Sequence, residues 1–205
     1  MSTSVLLLFL TTFFFVSITP GMCMTLSMTL GMTVGVRRTL WMMAGELLGV
    51  ALVAVAAVVG VATLMLEHPL AFEVVKYGGG AYLIYLGIQM WRAKGRLALT
   101  LDGNRPPASR KALAMQGFMT AVANPKGWAF MVSLLPPFID TTQPMAGQLG
   151  MLVGIILCTE LGCLLLYASG GKTLGRVLGR GNNLALLNRI AGTLMAGVGV
   201  WLALG

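Results

Sequence analysis

Three charged residues lie inside long apolar stretches of this 205-residue sequence, where a charge is costly. Lys126 directly follows Pro125, Glu160 lies between two cysteines in a leucine-rich run, and Glu46 stands early in a third stretch. In a low-dielectric interior a carboxylate can take up a proton or hold an ammonium group, and an ammonium can hold a carboxylate. The three side chains are therefore candidates for a binding or proton-transfer site.

Two prolines interrupt apolar stretches near their middles, in Thr19-Pro20-Gly21 and in Asn124-Pro125-Lys126-Gly127. Proline inside a helix removes a backbone hydrogen bond and clashes with the preceding turn, so we expect both helices to break there. A helix that restarts after the break presents N–H groups with partial positive charge. Two such ends at one depth would hold an anionic group such as a carboxylate. The alternative is that each proline only kinks its helix and that the freed backbone groups are satisfied locally.

The composition places these residues in a membrane protein. Hydrophobic residues make up 57% of the chain and charged residues 10%, whereas a soluble domain carries about a quarter charged residues. A domain of this size cannot bury so many apolar side chains, because much of its surface faces solvent. A soluble globular protein, a disordered chain and a nucleic-acid-binding domain are thus excluded. The net charge of +8 fits basic loops that face anionic lipid.

Six apolar stretches have the length that a helix needs to cross a bilayer, about 20 residues. The period-2 alternation of a β-barrel is not visible. The sequence therefore predicts an all-α integral membrane protein with one transmembrane domain over residues 1–205. The predicted spans are Val5–Thr29, Leu40–Leu66, Phe72–Trp91, Ala112–Ile139, Met145–Ser169 and Leu184–Leu204.

Loop charges predict the orientation. Twelve of the 14 basic residues fall in three loops on one side, between helices one and two, three and four, and five and six. By the positive-inside rule these loops are cytoplasmic, so we expect both termini outside. These basic residues are Arg37, Arg38, Arg92, Lys94, Arg96, Arg105, Arg110, Lys111, Lys172, Arg176, Arg180 and Arg189.

Three helices per half would place the second half in the opposite orientation. We therefore predict a 3+3 inverted repeat, with halves at about 1–95 and 110–205 and with helices one and four broken at Pro20 and Pro125. The segments Gly80–Gly87 and Gly192–Gly199, in helices three and six, each carry glycines seven apart. Merely well-packed helices show the same glycine spacing, so the paired prolines are the better signal.

Structural interpretations of the charged residues stay open. Lys126 and Glu160 can form a buried ion pair that serves stability alone, and Glu46 can reach the cytoplasmic interface or pair with Arg37 or Arg38. Otherwise Lys126 and Glu160 line a polar cavity.

Other function classes are a membrane thiol–disulfide electron carrier, and a pore or accessory subunit. An electron carrier needs two cysteines that can meet. Cys23 lies beside the first proline, but no cysteine lies near Pro125. Cys158 and Cys163 are five residues apart on a helix, which puts them on opposed faces.

Several segments resemble the LysE/RhtB superfamily of bacterial amino-acid exporters, in order and over nearly the whole chain. They are Thr19-Pro-Gly-Met22, the helix-three block Ala71–Arg92, Asn124-Pro-Lys126 and Leu135-Pro-Pro-Phe138. The helix-three block looks most like the homoserine/homoserine-lactone exporter branch. Members typically read Pro-Gly-Pro in helix one, whereas this chain has Met22 at the third position.

The resemblance implies a non-enzymatic exporter of small amino acids in the bacterial inner membrane, driven by the proton motive force without a cofactor. Homoserine, its lactone, threonine, serine and leucine all fit such a site. Its partners would be the amino acid, protons and the lipid bilayer, and a homodimer is possible. The substrate carboxylate would face the helix ends near Gly21 and Asn124–Gly127, with Lys126 adding charge. Glu160 would be the proton carrier or the ammonium partner.

Overall fold

A computed structural model describes residues 3–67, 69–92, 109–135, 138–139, 144–179 and 183–204. Within these ranges the chain forms eight α-helices and no strand, which agrees with the all-α prediction. The polar segment 93–108, including the turn cluster at 102–107, and the prolines at 136 and 137 lie outside the described residues. The helices are α1 (Thr3–Ile18), α2 (Met22–Thr33), α3 (Val36–Glu67), α4 (Pro69–Arg92), α5 (Arg110–Val122), α6 (Pro125–Leu134), α7 (Met145–Gly179) and α8 (Asn183–Leu204).

The helix lengths and compositions support a membrane protein. Within the described ranges, the segments Val36–Val61 of α3 and Met145–Gly171 of α7 are each long and apolar enough to cross a bilayer. α1 and α2 pass the same test as one span bent by 54°. α7 is itself bent at Gly171, where the backbone is not helical.

The first helix break lies at Pro20, as predicted. α1 ends at Ile18 and α2 begins at Met22, so Thr19, Pro20 and Gly21 form the non-helical connection. Proline has no N–H to continue the helix, and Gly21 adopts an extended conformation at the N-cap of α2.

The second break comes just before its proline. α5 ends at Val122, Asn124 is the N-cap of α6, and Pro125 is the first residue of α6. Proline is favoured there, because the first N–H of a helix has no intrahelical partner and the ring fixes a helical φ. Pro125 therefore starts a helix, whereas Pro20 lies between two.

Glycines let α3 and α5 pack closely. A Cβ added at Gly45 would collide with the carbonyl oxygen of Ala114, and one added at Gly117 with that of Met42. Small residues at such crossings bring backbones together, which is the main source of packing energy between helices in lipid. The pair α3–α5 consequently forms one of the two most extensive helix contacts of the described chain.

α4 and α8 form the other extensive contact, and the glycines seven apart lie in it. A Cβ at Gly199 would lie 2.6 Å from the carbonyl oxygen of Gly80, and one at Gly87 would lie 2.5 Å from that of Gly192. In these pairs spaced by seven residues, the earlier glycine of one helix meets the later glycine of the other helix. The two helices therefore pack antiparallel.

The buried apolar residues form two clusters. One joins α1 to α3, α6 and α7 through residues such as Phe9, Phe13 and Phe130. The other joins α2 to α3, α5 and α7 and is rich in methionine, with Met28 and Met42 fully buried. Because α1 belongs to one cluster and α2 to the other, the break at Pro20 lies where the clusters meet.

Candidate functional site

A cavity of about 70 Å³ lies between the two helix breaks. Such a volume holds on the order of five water molecules. It is lined by the end of α1, the start of α2, the middle of α3, the end of α5, the start of α6 and the middle of α7. The lining residues with polar or ionisable side chains are Ser17, Thr19, Cys23, Glu46, Asn124, Lys126 and Glu160.

Side chains from α6 and α7 satisfy two of the carbonyl groups at the end of α1. Pro20 has no N–H, so the Val16 carbonyl loses its normal intrahelical donor. The Lys126 ammonium donates to this oxygen at 3.1 Å, and the Tyr167 hydroxyl donates to the Ile18 carbonyl at 2.7 Å. Lys126 is therefore held at the first break by the Val16 carbonyl, to which Pro20 cannot donate.

The two helix N-termini at the breaks are not equivalent. No side chain caps α2, because its N-cap residue is Gly21, and the nearby Thr19 hydroxyl donates back to the Phe15 carbonyl at 2.7 Å. At α6 the Asn124 side chain accepts from the Lys126 N–H at 3.1 Å, and Pro125 has no N–H. The start of α2, at Gly21, is consequently the more open of the two positive helix ends.

Glu160 projects from α7 into the cavity and is only 8% exposed. The Ser17 hydroxyl donates to its carboxylate at 2.6 Å, which links α7 to the last turn of α1. The described chain has no direct ion pair between Glu160 and Lys126; Lys126 binds the neighbouring Val16 carbonyl instead. The two groups interact electrostatically without direct contact.

Glu46 is fully buried at the same cavity rather than at the membrane interface. Neither of its carboxylate oxygens has a hydrogen-bond partner among the described residues. It interacts electrostatically with Glu160 and Cys23. Burying an ionised carboxyl group without a partner costs free energy, so we expect this group to bind a proton or a cation.

The structure brings most of the candidate residues from sequence together. Thr19, Gly21, Asn124, Lys126, Glu46 and Glu160 all line the one cavity. Pro20 and Pro125 lie beside it but are not lining residues. Their contribution is to end or start the helices whose neighbouring residues reach the cavity.

Sequence reasoning missed several residues of the site. Ser17 and Tyr167 are polar residues in apolar runs, which is a signal too common in membrane helices to single them out. The apolar wall was also not predicted, because it comes from five helices, several of them far apart in sequence. It consists of Phe13, Val16, Met22, Met24, Val50, Val53, Ala121, Phe130 and Met131.

The three cysteines are free thiols. Cys158 is exposed and Cys163 is buried, as expected for opposed faces of one helix. Cys23 lies in the cavity wall, where Asn124 contacts its sulfur at 3.9 Å, and it shares an apolar cluster with Cys163. The described residues contain no group of three or more side chains suited to a metal ion.

Comparison with protein families agrees with this arrangement of apolar helices and a polar cavity. A family model described as LysE type translocator matches residues 14–205. The chain belongs to this family. The family resemblance noted in the sequence is thereby confirmed.

Relatives of this LysE-type chain match it along nearly its whole length. A homoserine/homoserine lactone efflux protein of Salmonella typhimurium is 32% identical over 187 residues, covering 91% of this chain and 90% of the relative. A leucine efflux protein of Klebsiella pneumoniae is 30% identical over 196 residues, covering 92% and 90%. An uncharacterized membrane protein of Vibrio cholerae is 31% identical over 188 residues, covering 91% and 90%. No solved structure gives a significant match.

Proposed function

We propose that this LysE-type protein exports small amino acids from the bacterial cytoplasm, driven by the proton motive force. The observation that carries the proposal is a single cavity at two helix breaks that holds an ammonium group and two carboxyl groups. An amino acid is a zwitterion, so it needs one partner of each sign. Family membership and the efflux proteins among the relatives support the same function.

Each end of the substrate has a partner in this proposal. The substrate carboxylate binds the open N-terminus of α2 near Gly21 and the Lys126 ammonium, which lies 4.0 Å from the position of a Cβ at Gly21. The substrate ammonium faces Glu160 and Glu46. The amino acid itself is not changed chemically, so the proposal needs no cofactor.

The apolar wall favours substrates whose side chain needs few hydrogen bonds. The hydroxyls of Ser17 and Thr19 already donate to Glu160 and to the Phe15 carbonyl. A leucine-class side chain or a lactone ring would contact this apolar wall without leaving a polar group unpaired. Homoserine, threonine and serine remain in the candidate set, because Asn124 offers a side-chain amide in the wall.

We also propose six spans in a 3+3 inverted repeat, in the inner membrane, with both termini periplasmic. α1–α2 and α5–α6 are the broken first helices of the two halves, and α4 and α8 are the last. The antiparallel glycine contact between α4 and α8 supports this assignment. In such transporters, substrate sites typically lie at discontinuous helices between the repeats.

An efflux screen tests the proposed function. A strain that expresses the protein is challenged with toxic concentrations of each candidate amino acid, and extracellular amino acid is measured over time. We expect resistance and faster efflux for at least one candidate, and for none in a strain expressing Lys126→Met. Equal efflux from the expressing strain and an empty-vector strain for every candidate would contradict the proposal.

A cysteine-free variant separates transport from thiol redox chemistry in the same screen. Cys23, Cys158 and Cys163 are replaced by serine, which changes each side chain by one atom. Because export needs no thiol, we expect the variant to retain efflux. Loss of efflux together with normal membrane content would favour the electron-carrier alternative.

A further inference from the structure

Glu46 differs from the other charged groups of the cavity because the described chain forms no hydrogen bond to its carboxylate, although Glu160 and Cys23 lie close enough to interact with it. It is fully buried, and both carboxylate oxygens lack a hydrogen-bond partner within the described chain. Glu160 accepts from Ser17, and Lys126 donates to the Val16 carbonyl. Glu46 thus has unused acceptor capacity in the lining of the cavity that the substrate ammonium would enter.

The ionisable groups around Glu46 do not neutralise it. Glu160 on α7, Cys23 on α2 and Lys126 on α6 line the cavity with it. With both carboxyl groups ionised, the cavity would hold two negative charges against the single positive charge of Lys126. An uncompensated buried charge is too costly to persist. An empty cavity therefore needs one further positive charge, and a proton is the smallest that can supply it.

We propose that Glu46 is the group at which a proton and the amino-acid ammonium exchange. This inference rests on the proposed export function and deepens it. With the cavity empty, the Glu46 carboxyl carries a proton; when the amino acid binds, the O–H bond breaks, the proton leaves to water, and the carboxylate pairs with the ammonium. Each bound amino acid displaces one proton, and protonation from the outer side displaces the amino acid. Because the proton and the amino acid cannot bind Glu46 at the same time, their movements across the membrane are coupled in opposite directions.

Glu160 is the less suitable group for this exchange. Its carboxylate already accepts a hydrogen bond from the Ser17 hydroxyl at 2.6 Å, so part of its acceptor capacity is occupied and its position is fixed by α1. Glu46 and Glu160 come from the middle helices of the two proposed repeat halves, α3 and α7. The two helices thus carry the same side chain in different surroundings, and the surroundings assign the two residues different roles.

Proton release on substrate binding tests this inference. Purified protein in weakly buffered detergent solution is mixed with an amino acid that the wild type exports, and released protons are measured with a pH indicator dye. We expect about one proton per bound amino acid for the wild type. Glu46→Gln should release none and should bind with an affinity that no longer varies with pH. Glu73→Gln, an exposed residue on α4, is the matched control and should behave as wild type.

Other results of the same titration overturn the inference. Release from Glu46→Gln equal to wild type, with release lost in Glu160→Gln, would assign the exchange to Glu160. If the wild type binds none of the candidate amino acids, the proposed function fails and the inference fails with it. If Glu46→Gln does not fold, Glu46→Asp is used instead. Its shorter side chain should keep the proton release but weaken binding about tenfold, and unchanged affinity would exclude direct contact with the ammonium.

Discussion

Lys126 serves the backbone and the cavity at once. Its ammonium replaces the donor that Pro20 removes from the Val16 carbonyl. Because that carbonyl lies at the negative end of α1, the same contact keeps a positive charge at the first break, beside the start of α2. A structural requirement of the broken helix thus places the charge that a substrate carboxylate needs.

Substitution of the charged pair tests whether it is functional. We expect Glu160→Gln and Lys126→Met each to abolish efflux while the protein still inserts into the membrane. Lys126→Met also removes a charge-assisted hydrogen bond, at a cost of roughly 1.5–3 kcal/mol in stability. Efflux rate and the amount of tagged protein in the membrane fraction are measured together. Lys111→Met and Glu73→Gln, both at exposed positions, are the matched controls.

The double variant Lys126→Met with Glu160→Leu decides between the two interpretations of the pair. Replacing a purely structural pair by apolar residues of similar size costs little, because desolvation consumes most of the attraction. We expect this variant to insert normally and not to export. Export at the parental rate would show that the site is elsewhere.

The charged residues of the site can be predicted from the sequence, because charged residues inside apolar stretches are rare. Lys126, Glu160 and Glu46 stood out for that reason, and all three line the cavity. The position of Glu46 could not be read from its distance to the start of its helix, since α3 begins at Val36, before the predicted Leu40. The roles of Ser17 and Tyr167 depend on contacts 143 and 149 residues apart, which no local pattern encodes.

At the scale of the elements, proline chemistry predicted both helix breaks but not how each helix restarts. Asn124 caps α6 with its side chain, whereas α2 starts at Gly21 without a side-chain cap. The difference follows from local residue types, because an amide side chain can accept from a nearby N–H and glycine cannot. The sequence predicts two equivalent helix N-termini with partial positive charge. In the structure one N-terminus has no side-chain cap, and the other is partly capped.

Helix packing predicts an unequal response of glycines to alanine. Gly117→Ala places a methyl group against the Met42 carbonyl, so α3 and α5 must separate, and we expect a loss of roughly 1–3 kcal/mol. Gly154→Ala on α7 meets no atom within 4 Å and should raise stability slightly through helix propensity. The measurement is thermal unfolding in detergent. Equal melting temperatures for the two variants would show that α3 and α5 are not in close contact.

At the scale of the whole molecule, the basic residues predict how the chain crosses the membrane. With the three basic loops cytoplasmic, the C-terminus is expected in the periplasm. Alkaline phosphatase fused at Gly205 should therefore be active, and green fluorescent protein inserted within Asp102–Pro107 should fluoresce. A cytoplasmic C-terminus would mean that the number of spans is not six.

The proposed transport requires that this chain alone moves amino acids against protons through the cavity between the breaks. The most direct test uses purified protein in proteoliposomes with an imposed pH gradient and a radiolabelled candidate amino acid. We predict that wild-type vesicles accumulate the amino acid above its equilibrium level on the side with the higher proton concentration. Dissipating the gradient, or substituting Lys126→Met, should abolish this accumulation. Accumulation that is absent for every candidate, or that persists without the gradient, would contradict the account.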